Sequence, residues 1–218
     1  MYHYVDDKEF LKKMRGECSN IINQLIQCIN NDGVMKVEAY LVGSGANHLE
    51  TQNGNEPIDL DYNLNIVDIS FNINDGKSIK DYVIKMFNKV LESNKWANCS
   101  DSTSALTTKY RNFTSGNKTP FKIDLAIVHE NKDGSWYRLI HQKTGIVSND
   151  SWIWNQGPAS KGLVKKVNYI KNSNCWNEVR EKYLDIKNMY LTKNNYNHPS
   201  FNCYIETINE IYKKHGGK

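Results

Sequence analysis

Two aspartates one residue apart, Asp59 and Asp61, sit in the apolar frame Ile58-Asp-Leu-Asp-Tyr-Asn-Leu64. Alternation along a strand turns both carboxylates to one face and Ile58, Leu60 and Tyr62 to the other. Adjacent carboxylates repel each other and cost stability unless a cation lies between them. Aspartate is also a poor strand former, so a pair of them in this frame asks for a task. Paired hard oxygen donors suit Mg2+ or Mn2+ far better than zinc. A third carboxylate, Asp124, lies in a similar run, Phe121-Lys-Ile-Asp-Leu-Ala-Ile-Val128. If the two strands are neighbours in one sheet, three carboxylates converge into a two-metal site of the kind used for in-line phosphoryl chemistry. Upstream, Leu41-Val-Gly-Ser-Gly-Ala46 is a small-residue turn. Gly43, Ser44 and Gly45 permit a tight backbone whose N–H groups can point at phosphate oxygens. It is not a P-loop, because the Gly-Lys-Ser/Thr element is missing.

The elements that must position these residues follow from periodicity. Residues 6–31 carry Leu11, Met14, Cys18, Ile21, Leu25 and Ile29 at three- and four-residue steps, which predicts an amphipathic helix capped by Asp6 or Asp7 and ended near Gly33. A strand over 35–42 then delivers the Gly-Ser turn, and a second over 58–66 carries the aspartate pair. A helix is predicted over 78–93, an extended segment over 105–113, the Asp124 strand, and a hairpin at Asn131-Lys-Asp-Gly134 with a return strand over 136–141. Trp152 to Pro158 reads as an aromatic linker, and three helices follow over 160–171, 176–191 and 200–214. The expected fold is a mixed α/β sheet core with flanking helices, residues 1–147, and a C-terminal helical bundle, residues 148–218.

Composition is that of a globular protein, with 39% hydrophobic and 24% charged residues in a chain of 218. The net charge of +4 is too mild to indicate nucleic acid by itself, though it allows a locally basic cleft. Five cysteines without Cys-x-x-Cys spacing indicate neither a disulfide framework nor a zinc site. The N-terminus has no apolar signal core and no run is long enough to span a membrane, so a cytoplasmic location without membrane contact is expected. Four prolines among many Asn and Lys residues suggest an AT-rich coding genome.

The set Gly43-Ser44, Asp59-Leu60-Asp61 and Asp124 on a later strand resembles the signature of the polymerase-β-type nucleotidyltransferase superfamily, over roughly residues 41–128. The resemblance implies that Gly43, Ser44 and Gly45 hold a nucleoside triphosphate, with ATP the expected one. It implies two Mg2+ ions (or Mn2+), with Asp59 and Asp61 binding both and Asp124 binding the catalytic one. The activity implied is transfer of a nucleoside monophosphate to a hydroxyl acceptor with release of pyrophosphate. Fourteen residues separate Ser44 from Asp59, slightly more than is usual there, so a longer loop carries His48, Glu50, Thr51 and Gln52. A basic residue from the helical part often meets the β- or γ-phosphate in this superfamily. Among Lys161, Lys165 and Lys166, the last two are preferred; a solvated helix face is the competing reading. Lys109 and Arg111 form a second basic pair, and Trp152, Trp154 and Tyr169 could stack on a base or fill a seam.

Small bacterial members of this kind include antibiotic adenylyltransferases, tRNA-modifying toxins and cyclic-oligonucleotide synthases. The expected acceptor is therefore a small molecule such as an antibiotic, or tRNA, with self-condensation to a cyclic signalling nucleotide as an alternative. A non-catalytic nucleotide-binding module is the reading from a different class.

Overall fold

The computed structural model describes residues 1–70, 72–157, 162–193 and 200–216. The first half of the chain forms β1 (Tyr2–Tyr4), α1 (Lys8–Asp32), β2 (Met35–Leu41), α2 (Gly43–Ala46), β3 (Thr51–Asn53), β4 (Ile58–Ile69) and α3 (Gly76–Ser93). The second half forms β5 (Ser100–Asp101), β6 (Leu106–Thr107), β7 (Phe121–Glu130), β8 (Trp136–Gln142), β9 (Ser151–Gln156), α4 (Leu163–Asn172), α5 (Trp176–Thr192) and α6 (Ser200–Lys214). The chain divides into two compact units. One comprises Asp7–Val42 and Pro57–Gly157; the other comprises Met1–Asp6, Gly43–Glu56 and Pro158–Lys218.

The first unit is built on a mixed sheet with strand order β2-β4-β7-β6-β5, from which β8 and β9 continue along another stretch of β7. Its central pair, β4 and β7, is parallel, while β2, β6 and β8 add antiparallel partners. α1 forms because Phe10, Met14, Cys18, Ile21, Leu25 and Ile29 make one buried stripe. The Asp7 side chain accepts the N–H of Phe10 at its start, and Gly33, at φ 76°, ends it in the left-handed conformation. Ile58, Leu60, Tyr62 and Leu64 of β4 and Phe121, Ile123 and Leu125 of β7 are buried on the same side of the sheet. The Ser19 hydroxyl of α1 lies 3.1 Å from the Tyr62 hydroxyl, so α1 covers this apolar side. A bulge between Lys36 and Val37 shifts the β2–β4 register.

Two segments depart from the sequence reading. Residues 152–156 are no linker: β9 pairs antiparallel with β8 from Gln142↔Ser151 to Tyr137↔Gln156. The physical reason is the packing of two half-buried tryptophans. Trp152 stacks on His141 at 4.3 Å between ring centres, and the Trp154 indole N–H donates to the Ile73 carbonyl at 2.7 Å. Pro158, Ser160 and Lys161 lie outside the described residues. Within 105–113 only Leu106–Thr107 is a regular strand, with an isolated bridge from Arg111 to Phe121.

In the second unit β1 and β3 pair antiparallel, with Tyr4 opposite Thr51. Leu49, Ile170, Val179, Tyr183, Ile208 and Ile211 form the core around which α4, α5 and α6 pack.

Candidate active site

The parallel register of β4 and β7 places Asp61 opposite Asp124, and Asp59 opposite Lys122. Directly paired residues share a face and alternate residues return to it. Asp59, Asp61, Lys122 and Asp124 therefore occupy one face, opposite the apolar one. The three carboxylates singled out in the sequence are thus brought to adjacent positions by two neighbouring strands.

A fourth member was not anticipated. The Lys122 ammonium lies 3.3 Å from Asp59 Oδ1 and 3.7 Å from Asp124 Oδ2. Burial alone would lower the Lys122 pKa, but Asp124, Asp59 and Asp61 outweigh it and hold it above the usual lysine value. The signal was present in the sequence, since Lys122 stands two residues before Asp124, on the same face of its strand. The Thr107 hydroxyl donates to Asp124 Oδ1 at 2.5 Å, because β6 runs beside β7 with Thr107 opposite Asp124. The N–H of Val42 donates to the Asp61 carbonyl at 2.9 Å, which ties the end of β2 to the carboxylate strand.

This donor set fits a hard divalent cation. All its ligand atoms are carboxylate oxygens, the Asp59 side chain is 46% exposed and that of Asp124 is 20% exposed. A single ammonium already bridges two of the three carboxylates, in the manner of a stand-in for a metal ion.

In the second unit Gly43 adopts φ 63° and Gly43–Ala46 make one helical turn rather than an open loop. The Ser44 carbonyl accepts the N–H groups of Asn47 and Leu49, and the Asn47 side-chain amide donates to the Gly43 carbonyl at 3.0 Å. The Tyr204 hydroxyl, its pKa pushed up to about 12 by burial, lies 3.1 Å from Asn47 Oδ1. Arg180 donates to the His48 carbonyl at 2.6 Å. The longer loop is a structural element: Glu50, Thr51 and Gln52 are buried, and the Lys187 ammonium donates to the Thr51 hydroxyl at 2.9 Å.

The basic candidates separate. Lys166 donates to Asn209 Oδ1 of α6 at 2.6 Å and lies over the Tyr212 ring, whereas Lys165 is exposed. Arg111 pairs with Glu17 at 3.0 Å and lies over Trp96, which makes it a packing residue, while Lys109 is exposed. Trp152 and Trp154 are taken up by β9, and the Tyr169 hydroxyl donates to the His215 carbonyl.

No family model matches the chain, and no curated protein matches it in sequence. Solved structures do match its fold. CdnC from E. coli MS115-1, solved with ATP, superposes with a TM-score of 0.60 at 13% identity, over 94% of this chain and 60% of that one. The same protein in its complex with HORMA-deltaN gives 0.57 at 13% identity, over 96% of this chain and 60% of that one. The chain thus spans about 60% of the length of these structures. It shares their fold, a mixed α/β sheet with flanking helices, as expected from the sequence.

Proposed function

We propose that the chain is a metal-dependent nucleotidyltransferase that moves a nucleoside monophosphate from an NTP to a hydroxyl acceptor. The observation that carries this is the in-register pairing of Asp61 with Asp124, with Asp59 one alternation along the same face. The likeness in fold to a protein solved with ATP supports ATP as the donor. In the reaction the acceptor oxygen bonds to the α-phosphorus, the bond from that phosphorus to the bridging oxygen breaks, and pyrophosphate leaves with that oxygen. The acceptor hydroxyl gives up its proton to solvent.

Asp59, Asp61 and Asp124 would hold Mg2+ or Mn2+, which when bound neutralises phosphate charge and acidifies the acceptor hydroxyl. Thr107 orients the Asp124 carboxylate by its hydrogen bond. Lys122 would give way to the incoming cation and remain available as a donor to phosphate oxygens. Gly43, Ser44 and Gly45 as triphosphate contacts, and Lys165 or Lys166 as a further phosphate contact, belong to the same proposal. The acceptor is a small molecule, a tRNA or a second nucleotide.

The test is pyrophosphate release from each of the four NTPs with Mg2+ or Mn2+, alone and with pooled tRNA or an antibiotic panel. Release lost in Asp59→Asn and Asp124→Asn supports the reading, and release that persists in both overturns it. A nucleotide-binding module without transfer is the second reading. It is favoured by the Lys122 bridge, which already supplies a resident counter-ion. Metal-dependent NTP binding without pyrophosphate release under any acceptor condition would select it.

A further inference from the structure

A different kind of donor set converges in the helical unit. Cys175, Glu178 and His215 each bring one ligand atom to within 4.8 Å of the other two, the one such group among the described residues. The three aspartates, spread around Lys122, do not gather this closely. The placement has a local cause and a long-range cause. Cys175 immediately precedes α5 and Glu178 is its third residue, so the first helical turn sets thiol and carboxylate side by side. His215 directly follows the last residue of α6, and its carbonyl accepts the Tyr169 hydroxyl of α4 at 2.7 Å. Three helices thus contribute to one small constellation. Cys175 is buried, and Glu178 and His215 are half-buried.

The present contacts show how each group is held. His215 Nε2 lies 2.9 Å from Glu178 Oε1, the Lys214 ammonium lies 2.6 Å from Glu178 Oε2, and the Cys175 thiol donates to the Ser173 carbonyl at 3.2 Å. The hydrogen bonds from Lys214 and His215 outweigh burial and hold the Glu178 carboxyl below its usual pKa. The carboxylate is therefore kept charged and aimed at the imidazole. Lys214 is 63% exposed and can swing into solvent without leaving a buried charge behind.

We propose that Cys175, Glu178 and His215 form a binding site for zinc or a chemically similar borderline-soft divalent ion. Thiolate with imidazole selects zinc-like ions over magnesium, and three protein ligands leave the fourth position to water. Binding displaces the thiol proton of Cys175 and any proton on His215 Nε2 to solvent, and releases Lys214 from Glu178. No oxidant or reductant is involved. The bound ion clips the start of α5 to the end of α6 and so stabilises the helical unit. The site is independent of the nucleotidyl-transfer reading, because none of the three aspartates belongs to it and its thiol and imidazole donors have no counterpart among them.

The test uses the full chain, with Zn2+ and with Co2+ as a spectroscopic substitute. One equivalent of Zn2+ per chain is expected by equilibrium dialysis, with a thiolate-to-cobalt charge-transfer band in the Co2+ form. At a hundredfold excess over Kd, the midpoint of thermal unfolding should rise by roughly 5–10 °C. Cys175→Ser should abolish the band, and His215→Gln should weaken Zn2+ binding by roughly tenfold or more. Asp59→Asn should leave both unchanged. Should Cys175→Ser not fold, His215→Gln replaces it, and should weaken the band of the Co2+ form as well as Zn2+ binding. Stoichiometry below one, a Co2+ form without the band, or Zn2+ binding indifferent to His215→Gln would overturn the proposal and leave an ion-pair cluster only.

Discussion

Lys122 and Asp124 show how much a single register decides at the scale of residues. An ammonium 3.3 Å from one carboxylate and 3.7 Å from another competes for the place where a divalent ion would be held. Partly exposed ion pairs are each worth up to about 1 kcal/mol. Lys122→Met should therefore tighten Mn2+ binding in the absence of nucleotide only several-fold, as read by isothermal titration calorimetry; weaker binding would mean that Lys122 supports the metal site. Removing a carboxylate acts differently. Asp61→Asn and Asp124→Asn should each lower the proposed nucleotide transfer by about a hundredfold or more while the circular dichroism spectrum is kept. The carboxylates were legible in the sequence because two aspartates in an apolar strand have few other reasons to be there. Lys122 was equally on that face by alternation, but its meaning depended on which residue lay opposite, and alternation alone does not set pairing between strands.

Among the elements, α3 and β9 are fitted closely enough to test by one methyl group. A Cβ added at Gly76 would lie 2.7 Å from Leu139 Cδ1 and 2.9 Å from Trp152 Cβ. Gly76→Ala should destabilise the sheet unit by about 1–3 kcal/mol, read as a lower urea midpoint, because β9 or the first turn of α3 must shift. At the start of α1 the prediction concerns pH. The N–H of Phe10 and then the Asn117 amide hold the Asp7 carboxyl below its ordinary value of 3.8. A depressed folded-state pKa gives stability that is present above the unfolded value and is lost as pH falls through the folded one. Asp7→Asn should thus flatten the stability curve below about pH 4, in urea titrations at fixed pH, while keeping a side chain able to cap. The helices were the most legible elements, since a stripe of buried residues at helical spacing is written locally. β9 was not: Ser151–Gln156 becomes a strand only because β8 offers an unpaired edge and His141 a ring for Trp152 to stack on.

Taken as a whole molecule, the chain is two compact units whose segments alternate along the sequence. Among the described residues no helix is long and apolar enough to cross a membrane. If the proposed activity holds, ATP with Mn2+ at a hundredfold excess over Kd should raise the unfolding midpoint by roughly 5–10 °C, and Asp59→Asn should reduce that shift. An equal shift in the variant would place nucleotide binding elsewhere. The sequence by itself determined the amphipathic helices, the turn at Gly43–Gly45 and the facing of Asp59 with Asp61, because periodicity and backbone preference act over a few residues. Only the tertiary structure decided that Asp124 stands opposite Asp61. It likewise decided that Met1–Asp6 and Gly43–Glu56 pack with the C-terminal helices, and that His215 meets Cys175. Each of these joins residues far apart in the chain, and such contacts are selected by the burial and strand pairing of the whole fold rather than by any local pattern.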